Sequence, residues 1–260
     1  MNFIHIEVKQ KNSAVAIIKL QRQKAMNALN SEMVSELKLA VEMLELDPNV
    51  RSVVIEGNEK FFIVGADIKE MIHANVTEAI EISREMKALH ELIIHSKRPY
   101  IAAIQGVCLG GGMELALACD IRVADHTAKF GLPEVNLGII PGGGGIHRLT
   151  EITGISYASQ LMMTGEMIDV EEALQWKIVN SISEDVVAKA ISIAQSINSK
   201  SEFAITALKK LTNNRNLNQS HAQLEEEIYE FALLFNHPDA FEGMSAFIEK
   251  RKPIFQKEES

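Results

Sequence analysis

Cysteine and long apolar runs are scarce in this sequence of 260 residues. The two cysteines, Cys108 and Cys119, form no disulfide framework and no CxxC pair, so we expect buried thiols in a reducing compartment. No apolar run approaches the ~20 residues that a membrane span requires. The first residues alternate like a strand and lack the basic start and apolar core of a signal peptide. These absences predict a cytoplasmic protein with no membrane segment.

Positive charge is also in short supply. The chain has 26 Lys and Arg against 35 Asp and Glu, a formal net charge of −9. This balance argues against a main surface that contacts nucleic acid phosphates or anionic lipid, although it leaves room for one small basic pocket. The eight histidines show no HExxH spacing, and we predict no bound metal.

Hydrophobic periodicity divides the chain into two parts. The first part alternates strand and helix patterns, which predicts an α/β core with short strands buried in a mixed sheet. After about residue 143 helical patterns dominate, so we predict a core over 1–197 and a helical region over 198–260. That region either assembles copies of the chain or folds back on its own core. Strands are predicted at 14–20, 52–56, 100–104 and 178–181, and helices at 31–46, 77–95, 156–163, 184–197, 202–211, 217–235 and about 240–250.

The glycines are concentrated in two clusters, at 110–112 and 142–145. No GK[ST] follows either cluster, and the spacing does not match a dinucleotide fingerprint, so neither is a typical phosphate loop. Residues 113–119 instead have the pattern of a mostly apolar helix. The first cluster therefore lies at a helix N-terminus, where unpaired N–H groups favour negative charge.

Two glutamates near these glycines are candidates for chemistry. Glu114 in the first turn of the predicted helix has apolar neighbours, which indicates burial rather than a surface contact with the helix dipole, worth roughly 0.3–1 kcal/mol. Glu134 follows twenty residues later. A predicted hairpin, with strands at 121–124 and 128–130, returns the chain towards the helix start. Two carboxylates beside backbone N–H donors suit acid–base chemistry on a carbonyl compound.

Residues 101–120 read IAAIQGVCLGGGMELALACD. This stretch resembles the central signature of the enoyl-CoA hydratase/isomerase (crotonase) superfamily. Further blocks follow in the family's order over nearly the whole chain, which makes the resemblance highly specific. They lie at 24–29, 61–70, 130–134, 137–138, 141–142, 148–149 and 242–251.

The resemblance implies a spiral of ββα turns and a helical C-terminal part that assembles trimers, often paired as hexamers. It implies an acyl-CoA thioester substrate and no separate cofactor. The backbone N–H groups of Ala66 and Gly111 are expected to form the oxyanion hole. Glu114 is expected to activate water as the base and Glu134 to protonate Cα, with the backbone of Gly142 positioning the water.

The blocks that approach CoA in the family carry the expected substrate-binding residues. These are Lys24, Asp67, Ile68 and Lys69. The alternative for each of the two lysines is a solvated surface charge with no role in CoA binding. For residues 250–252 two expectations stay open: they reach the CoA phosphates bound by a neighbouring subunit, or they form a charged tail on the surface. Val64 departs from the family pattern, which has a small residue there, and we expect it to narrow the pocket.

Three alternatives to an enoyl-CoA hydratase stay open from the sequence. Within the family, a methylglutaconyl-CoA hydratase or an enoyl-CoA isomerase is the nearest alternative. From a different class, some relatives bind AU-rich RNA, so an RNA-binding or scaffolding role is the third. The net charge of −9 and the absence of a Lys/Arg stripe argue against RNA.

Overall fold

The computed structural model describes residues 3–11, 14–200, 202–214, 228, 231–233, 235–236 and 238–254. The strands are β1 Ile6–Lys11, β2 Val15–Leu20, β3 Ser52–Glu56, β4 Phe61–Ile63, β5 Tyr100–Ile104, β6 Val107–Leu109, β7 Ile121–Ala124, β8 Lys129–Gly131, β9 Ile168–Asp169 and β10 Ser181–Ile182. The helices are α1 Ser31–Leu46, α2 Ile68–Met71, α3 Val76–His95, α4 Gly111–Ala118, α5 Gly145–Thr153, α6 Ile155–Thr164, α7 Val170–Gln175, α8 Val186–Asn198, α9 Glu202–Asn214 and α10 Pro238–Ile248.

The strands form two sheets, and the chain passes from one sheet to the other in the same way several times. The large sheet has the order β1-β2-β3-β5-β7-β10, and the small sheet has the order β4-β6-β8-β9. Three successive strand pairs, β3–β4, β5–β6 and β7–β8, each give one strand to each sheet before the chain continues into a helix. Only β1–β2 and β8–β9 are antiparallel among the described pairs. The predicted α/β spiral of ββα turns is therefore confirmed.

The central strands of the large sheet are buried on both faces, as their continuous apolar sequences predict. Every residue of β5 is buried. One face packs with α1 and α3, where Leu37 and Leu89 lie in the main core. The other face packs under α8 through Ala190 and Ala194. Sheet and helices thus form a rigid support for the small sheet.

The carboxyl ends of β4, β6 and β8 meet at one edge of the small sheet. These strands are parallel, with Leu109 of β6 opposite Gly131 of β8. Because parallel strands end on the same side, the residues that follow each of them come together. They are Ala66 after β4, Gly111 after β6 and Glu134 after β8.

The helix α4 is held at its far end by a buried guanidinium. Arg122 is 7% exposed and donates hydrogen bonds to the carbonyl oxygens of Cys119 at 2.6 Å and Ala116 at 3.3 Å. Its Nε donates to the carbonyl of Ile178 at 2.6 Å. A cation at the negative end of a helix is favourable, and these bonds satisfy carbonyls that the helix leaves unpaired.

Two local predictions were wrong. The hairpin predicted from 121–124 and 128–130 does not form, because β7 joins the large sheet and β8 the small one. Asp125 accepts hydrogen bonds from the backbone and hydroxyl of Thr127, and this turn carries the chain from one sheet to the other. The strand predicted at 178–181 is displaced to Ser181–Ile182, since the N–H groups of Ile178 and Val179 return to the Ala173 carbonyl.

The C-terminal part is described only in pieces. The predictions at 202–211 and about 240–250 correspond to α9 and α10. Most of the helix predicted at 217–235 lies outside the described residues. Within the described ranges, no helix is both long and apolar enough to cross a lipid bilayer.

Candidate active site

Glu114 is buried and held by the N-terminus of α5. Its side chain is on the first turn of α4, and the residue is 3% exposed. The N–H groups of Gly143 and Gly145 both donate to Oε1 at 2.8 Å. Burial raises the pKa of Glu114 above its usual range, while these two N–H groups and the Arg148 guanidinium act in the opposite direction. The carboxylate is therefore fixed in orientation and disposed to take up a proton.

The Glu134 side chain lies next to Gly110, the residue that precedes α4. It begins a 3₁₀ turn directly after Pro133. A Cβ atom placed on Gly110 would lie 3.1 Å from Oε1 of Glu134 and 3.3 Å from Cα of Gly65. The carboxyl group thus lies close to the glycine backbone that follows the ends of β4 and β6. The two predicted acid–base residues thus both lie at the N-terminus of α4.

The backbone of Ala66 lies close to Gly111 at the start of α4. A Cβ atom placed on Gly111 would be 3.8 Å from the backbone nitrogen of Ala66. Leu29 pairs with Ala66 in an isolated bridge whose hydrogen bonds use the Gly65 carbonyl and the Asp67 N–H. Within the described part of the chain, neither the Ala66 nor the Gly111 N–H donates a hydrogen bond. Paired N–H donors of this kind suit an oxygen that gains negative charge.

The glycine loop, residues 142–145, closes the site above Glu114. A Cβ on Gly142 would lie 2.8 Å from the ring of Phe231, and one on Gly145 would lie 2.8 Å from Oε1 of Glu114. Gly144 has φ +96°, a conformation that L side chains rarely adopt. Gly142, predicted to position water, thus lies in the loop that holds Glu114.

Three residues that hold the glycine loop were missed from the sequence. Ser83 Oγ donates to the Gly142 carbonyl at 2.6 Å. His90 Nδ1 lies 2.7 Å from the Gly143 carbonyl, which also accepts from both Nη atoms of Arg148 at 3.1 and 3.0 Å. The available signal was the spacing of Ser83 and His90, two polar residues seven apart on the apolar face of a predicted helix.

The residues predicted to contact CoA lie in two adjoining segments. Lys24 and Lys69 are exposed. Asp67 pairs with Arg22 at 2.7 Å and also caps α2, so it has a structural role before any ligand binds. Ile68 packs in an apolar cluster with Phe231. The structure thus joins these segments beside the Ala66 amide.

Two further positions were singled out in the sequence, the basic segment at 250–252 and Val64. Arg251 forms ion pairs with Glu242 and Glu249 of its own chain. Val64 is half-buried next to Gly65. Among the residues described by the structure, no three of the His, Cys, Asp and Glu side chains are grouped so that they could hold a metal ion.

The buried His90 predicts a loss of stability in acid. Burial and the Arg148 guanidinium lower the pKa of His90 from 6.5 to about 3. The unfolded chain binds a proton here below about pH 6.5, whereas the folded chain does not until about pH 3, so acidification favours unfolding.

Between pH 7.5 and 5, the free energy of unfolding of the wild type should fall by about 2 kcal/mol more than that of His90→Asn. Urea unfolding of both proteins at both pH values measures this difference. An equal pH dependence in the two proteins would contradict it.

Comparison with known proteins identifies what the chain is similar to. The profile of the enoyl-CoA hydratase/isomerase family matches residues 10–258. A probable enoyl-CoA hydratase of Mycobacterium leprae is 41% identical over 244 residues, covering 93% of this chain and 94% of that protein. A crotonyl-CoA hydratase of Syntrophomonas wolfei is 39% identical, covering 95% of this chain and 96% of its own. The crystal structure of an enoyl-CoA hydratase from Bacillus anthracis superposes with a TM-score of 0.79 at 34% identity, covering 97% and 99% of the two chains.

Proposed function

The chain belongs to the enoyl-CoA hydratase/isomerase family, and we propose from this membership that it is an enoyl-CoA hydratase. As a hydro-lyase, it adds water across the double bond of an α,β-unsaturated acyl-CoA to give a 3-hydroxyacyl-CoA. The observation that carries the proposal is that two carboxyl groups, those of Glu114 and Glu134, lie at the N-terminus of α4. Hydration needs one group that takes a proton from water and another that gives a proton to Cα, and two carboxyl groups provide both.

The backbone N–H groups of Ala66 and Gly111 are proposed to bind the thioester oxygen. As water attacks Cβ, the electrons of the double bond move towards Cα and this oxygen, which gains enolate character. Two N–H donors directed at that oxygen stabilise the transition state more than the ground state. Their proximity across the small sheet supports this role.

Glu114 is proposed to be the base and Glu134 the acid. Glu114 takes a proton from the water as the water oxygen bonds to Cβ, with the Gly142 backbone helping to hold that water. Protonated Glu134 gives its proton to Cα, which completes the addition of H₂O. Proton exchange with solvent then restores both carboxyl groups. The raised pKa of Glu114, caused by burial, supports a carboxylate that accepts a proton readily.

The CoA moiety is proposed to lie along the two adjoining segments that carry Lys24, Asp67, Ile68 and Lys69. The exposed lysines would meet the CoA phosphates, and Asp67 would order the loop through Arg22. This small basic surface is compatible with a net charge of −9, because phosphate binding needs only a local excess of cations.

A homotrimer, or a hexamer built from two trimers, is proposed for assembly, with the region 198–260 in the contacts. Exposed apolar side chains on α9 and α10 support it, since Leu208, Phe241 and Phe247 are 60%, 56% and 59% exposed in the single chain. We also propose a cytoplasmic enzyme of fatty-acid β-oxidation or branched-chain acyl degradation.

The proposal is tested with purified protein and crotonyl-CoA. Hydration removes the conjugated double bond, so the absorbance of the enoyl thioester should fall while 3-hydroxybutyryl-CoA accumulates. A panel of acyl-CoAs that differ in chain length and branching, including methylglutaconyl-CoA, identifies the preferred substrate. Migration of the double bond without added water would indicate an isomerase. Protein that binds CoA normally yet leaves crotonyl-CoA unchanged would refute the hydratase proposal.

A further inference from the structure

One face of α3 contacts the active-site glycines at successive turns. Ser83 donates to the Gly142 carbonyl, and His90 contacts the Gly143 carbonyl. Between them, the Cε atom of Met86 would lie 3.0 Å from a Cβ placed on Gly111. Residues three, four and seven apart share a helix face, and Ser83, Met86 and His90 are 2%, 7% and 0% exposed.

The contact with Gly143 determines which nitrogen of His90 carries the proton. A carbonyl oxygen only accepts, so Nδ1 must be the donor across the 2.7 Å contact. The neutral ring then has its lone pair on Nε2, which is buried and has no hydrogen-bond partner within the described part of the chain. His90 is neutral above acidic pH because burial and the Arg148 charge oppose protonation. It therefore acts as a fixed donor.

The Gly143 carbonyl, which His90 holds, belongs to the peptide unit between the two units whose N–H groups donate to Glu114. The peptide joining Gly142 and Gly143 has its carbonyl bonded to Ser83 and its N–H bonded to Glu114. The next carbonyl accepts from His90 and Arg148, and the Gly145 N–H that follows again donates to Glu114. Because a peptide unit is planar, the Ser83 contact sets the direction of the Gly143 N–H, which belongs to the same unit. The His90 and Arg148 contacts hold the next unit, which joins the two units that donate to Glu114, so they restrain the flexible glycine loop that presents both N–H groups.

We propose that His90 is a positioning residue for the catalytic base: by holding the Gly143 carbonyl, it keeps the Gly143 and Gly145 N–H groups on Glu114 and the carboxylate directed at the substrate. His90 itself exchanges no proton during turnover. The proposal rests on the proposed hydratase function. Arg148 on α5 is the charged group that acts on both side chains: besides the larger effect of burial, its guanidinium acts to lower the pKa of His90 and also that of Glu114.

Three substitutions separate this role from simple packing. In His90→Asn, the side-chain amide nitrogen occupies the place of Nδ1 and still donates to Gly143. In His90→Gln, the amide nitrogen matches Nε2 instead, and His90→Phe has no donor. For hydration of crotonyl-CoA we expect kcat of the Gln and Phe variants to fall about 10–100-fold with KM little changed, whereas the Asn variant stays near the wild type.

The pH profile gives a readout that packing alone does not change. Loss of N–H donors raises the pKa of the base, so the acidic limb of kcat/KM should move to higher pH in the Gln and Phe variants and stay in place in the Asn variant. Ile93→Val is the matched control, since Ile93 is buried in the main core one turn further along α3. It should lower the melting temperature and leave the acidic limb unmoved.

The outcomes that overturn the proposal are distinct from those that overturn the function. Folded Gln and Phe variants with the kcat and acidic limb of the wild type would refute it, as would an Asn variant as impaired as Phe. If the Phe variant does not fold, the Asn and Gln pair decides. Nitrogen-15 NMR of the wild type should find the proton of His90 on Nδ1, and a proton on Nε2 refutes the proposal even without turnover. Absence of hydration in the wild type instead contradicts the proposed function.

Discussion

Glu134→Gln is expected to lower kcat for crotonyl-CoA hydration by about 10²–10⁴-fold, the usual contribution of a positioned acid or base. The amide has nearly the shape of the carboxyl group but no proton to give to Cα. Glu114→Gln should lower kcat by a similar factor, because an amide does not take a proton from water. Initial rates from the loss of enoyl absorbance, with CoA binding measured in parallel, provide the test.

Exchange in D₂O separates the two roles. Butyryl-CoA has an α proton but no hydroxyl group to eliminate, so only the residue that acts at Cα is needed to exchange that proton. We expect exchange with the wild type and with Glu114→Gln, and none with Glu134→Gln. The opposite pattern would reverse the two assignments. Near-normal hydration by either folded variant would show that its carboxyl group is not catalytic.

Gly111→Val is expected to lower kcat/KM by about 10²–10³-fold, comparable to the loss of one oxyanion donor. An added Cβ lies 3.0 Å from the flexible end of Met86, 3.4 Å from Cδ1 of Leu29 and 3.8 Å from the Ala66 nitrogen. The two methyl groups of valine extend about 1.5 Å beyond that Cβ and enter the space between the two N–H donors. Kinetics with crotonyl-CoA, together with the melting temperature of each protein, measure the effect.

Gly111→Ala is the matched variant for this prediction. Its single methyl group needs only a small movement of Met86, so its loss of kcat/KM should be much smaller than that of valine. Equal losses in both variants would place the damage in the backbone of α4 rather than in the oxyanion hole. A valine variant with wild-type kcat/KM would exclude Gly111 from oxygen binding.

The sequence predicted the long elements well, because their periodicity is local. The helix α1 was predicted with the bounds that the structure has, and its Asn30 cap accepts a hydrogen bond from the Met33 N–H. The central strands of the large sheet were found for the same reason. In the small sheet β8 was predicted, but as half of a hairpin with β7, while β4 and β6 were missed because three residues are too few for a periodic pattern.

That omission limited what the sequence could say about the site. The side-by-side position of the Ala66 and Gly111 amides is a product of parallel pairing in the small sheet, so only the family resemblance indicated it. Burial of Glu114 was predictable from its apolar neighbours and is observed. The contacts of Ser83 and His90 with the glycine loop span more than fifty residues, and no local pattern encodes such pairings.

The glycine loop links the proposed chemistry to the folding of this part of the chain. Four consecutive glycines leave the unfolded chain very free here, and ordering them costs roughly 2–4 kcal/mol more than ordering four alanines. The hydrogen bonds that offset this entropy include both donors to Glu114. Glu114, the proposed base, thus also holds its own loop in place. A substitution of Glu114 therefore affects both the proposed chemistry and the loop. A relative that replaces Glu114 to catalyse another reaction would need a different group to accept the hydrogen bonds of the Gly143 and Gly145 N–H groups.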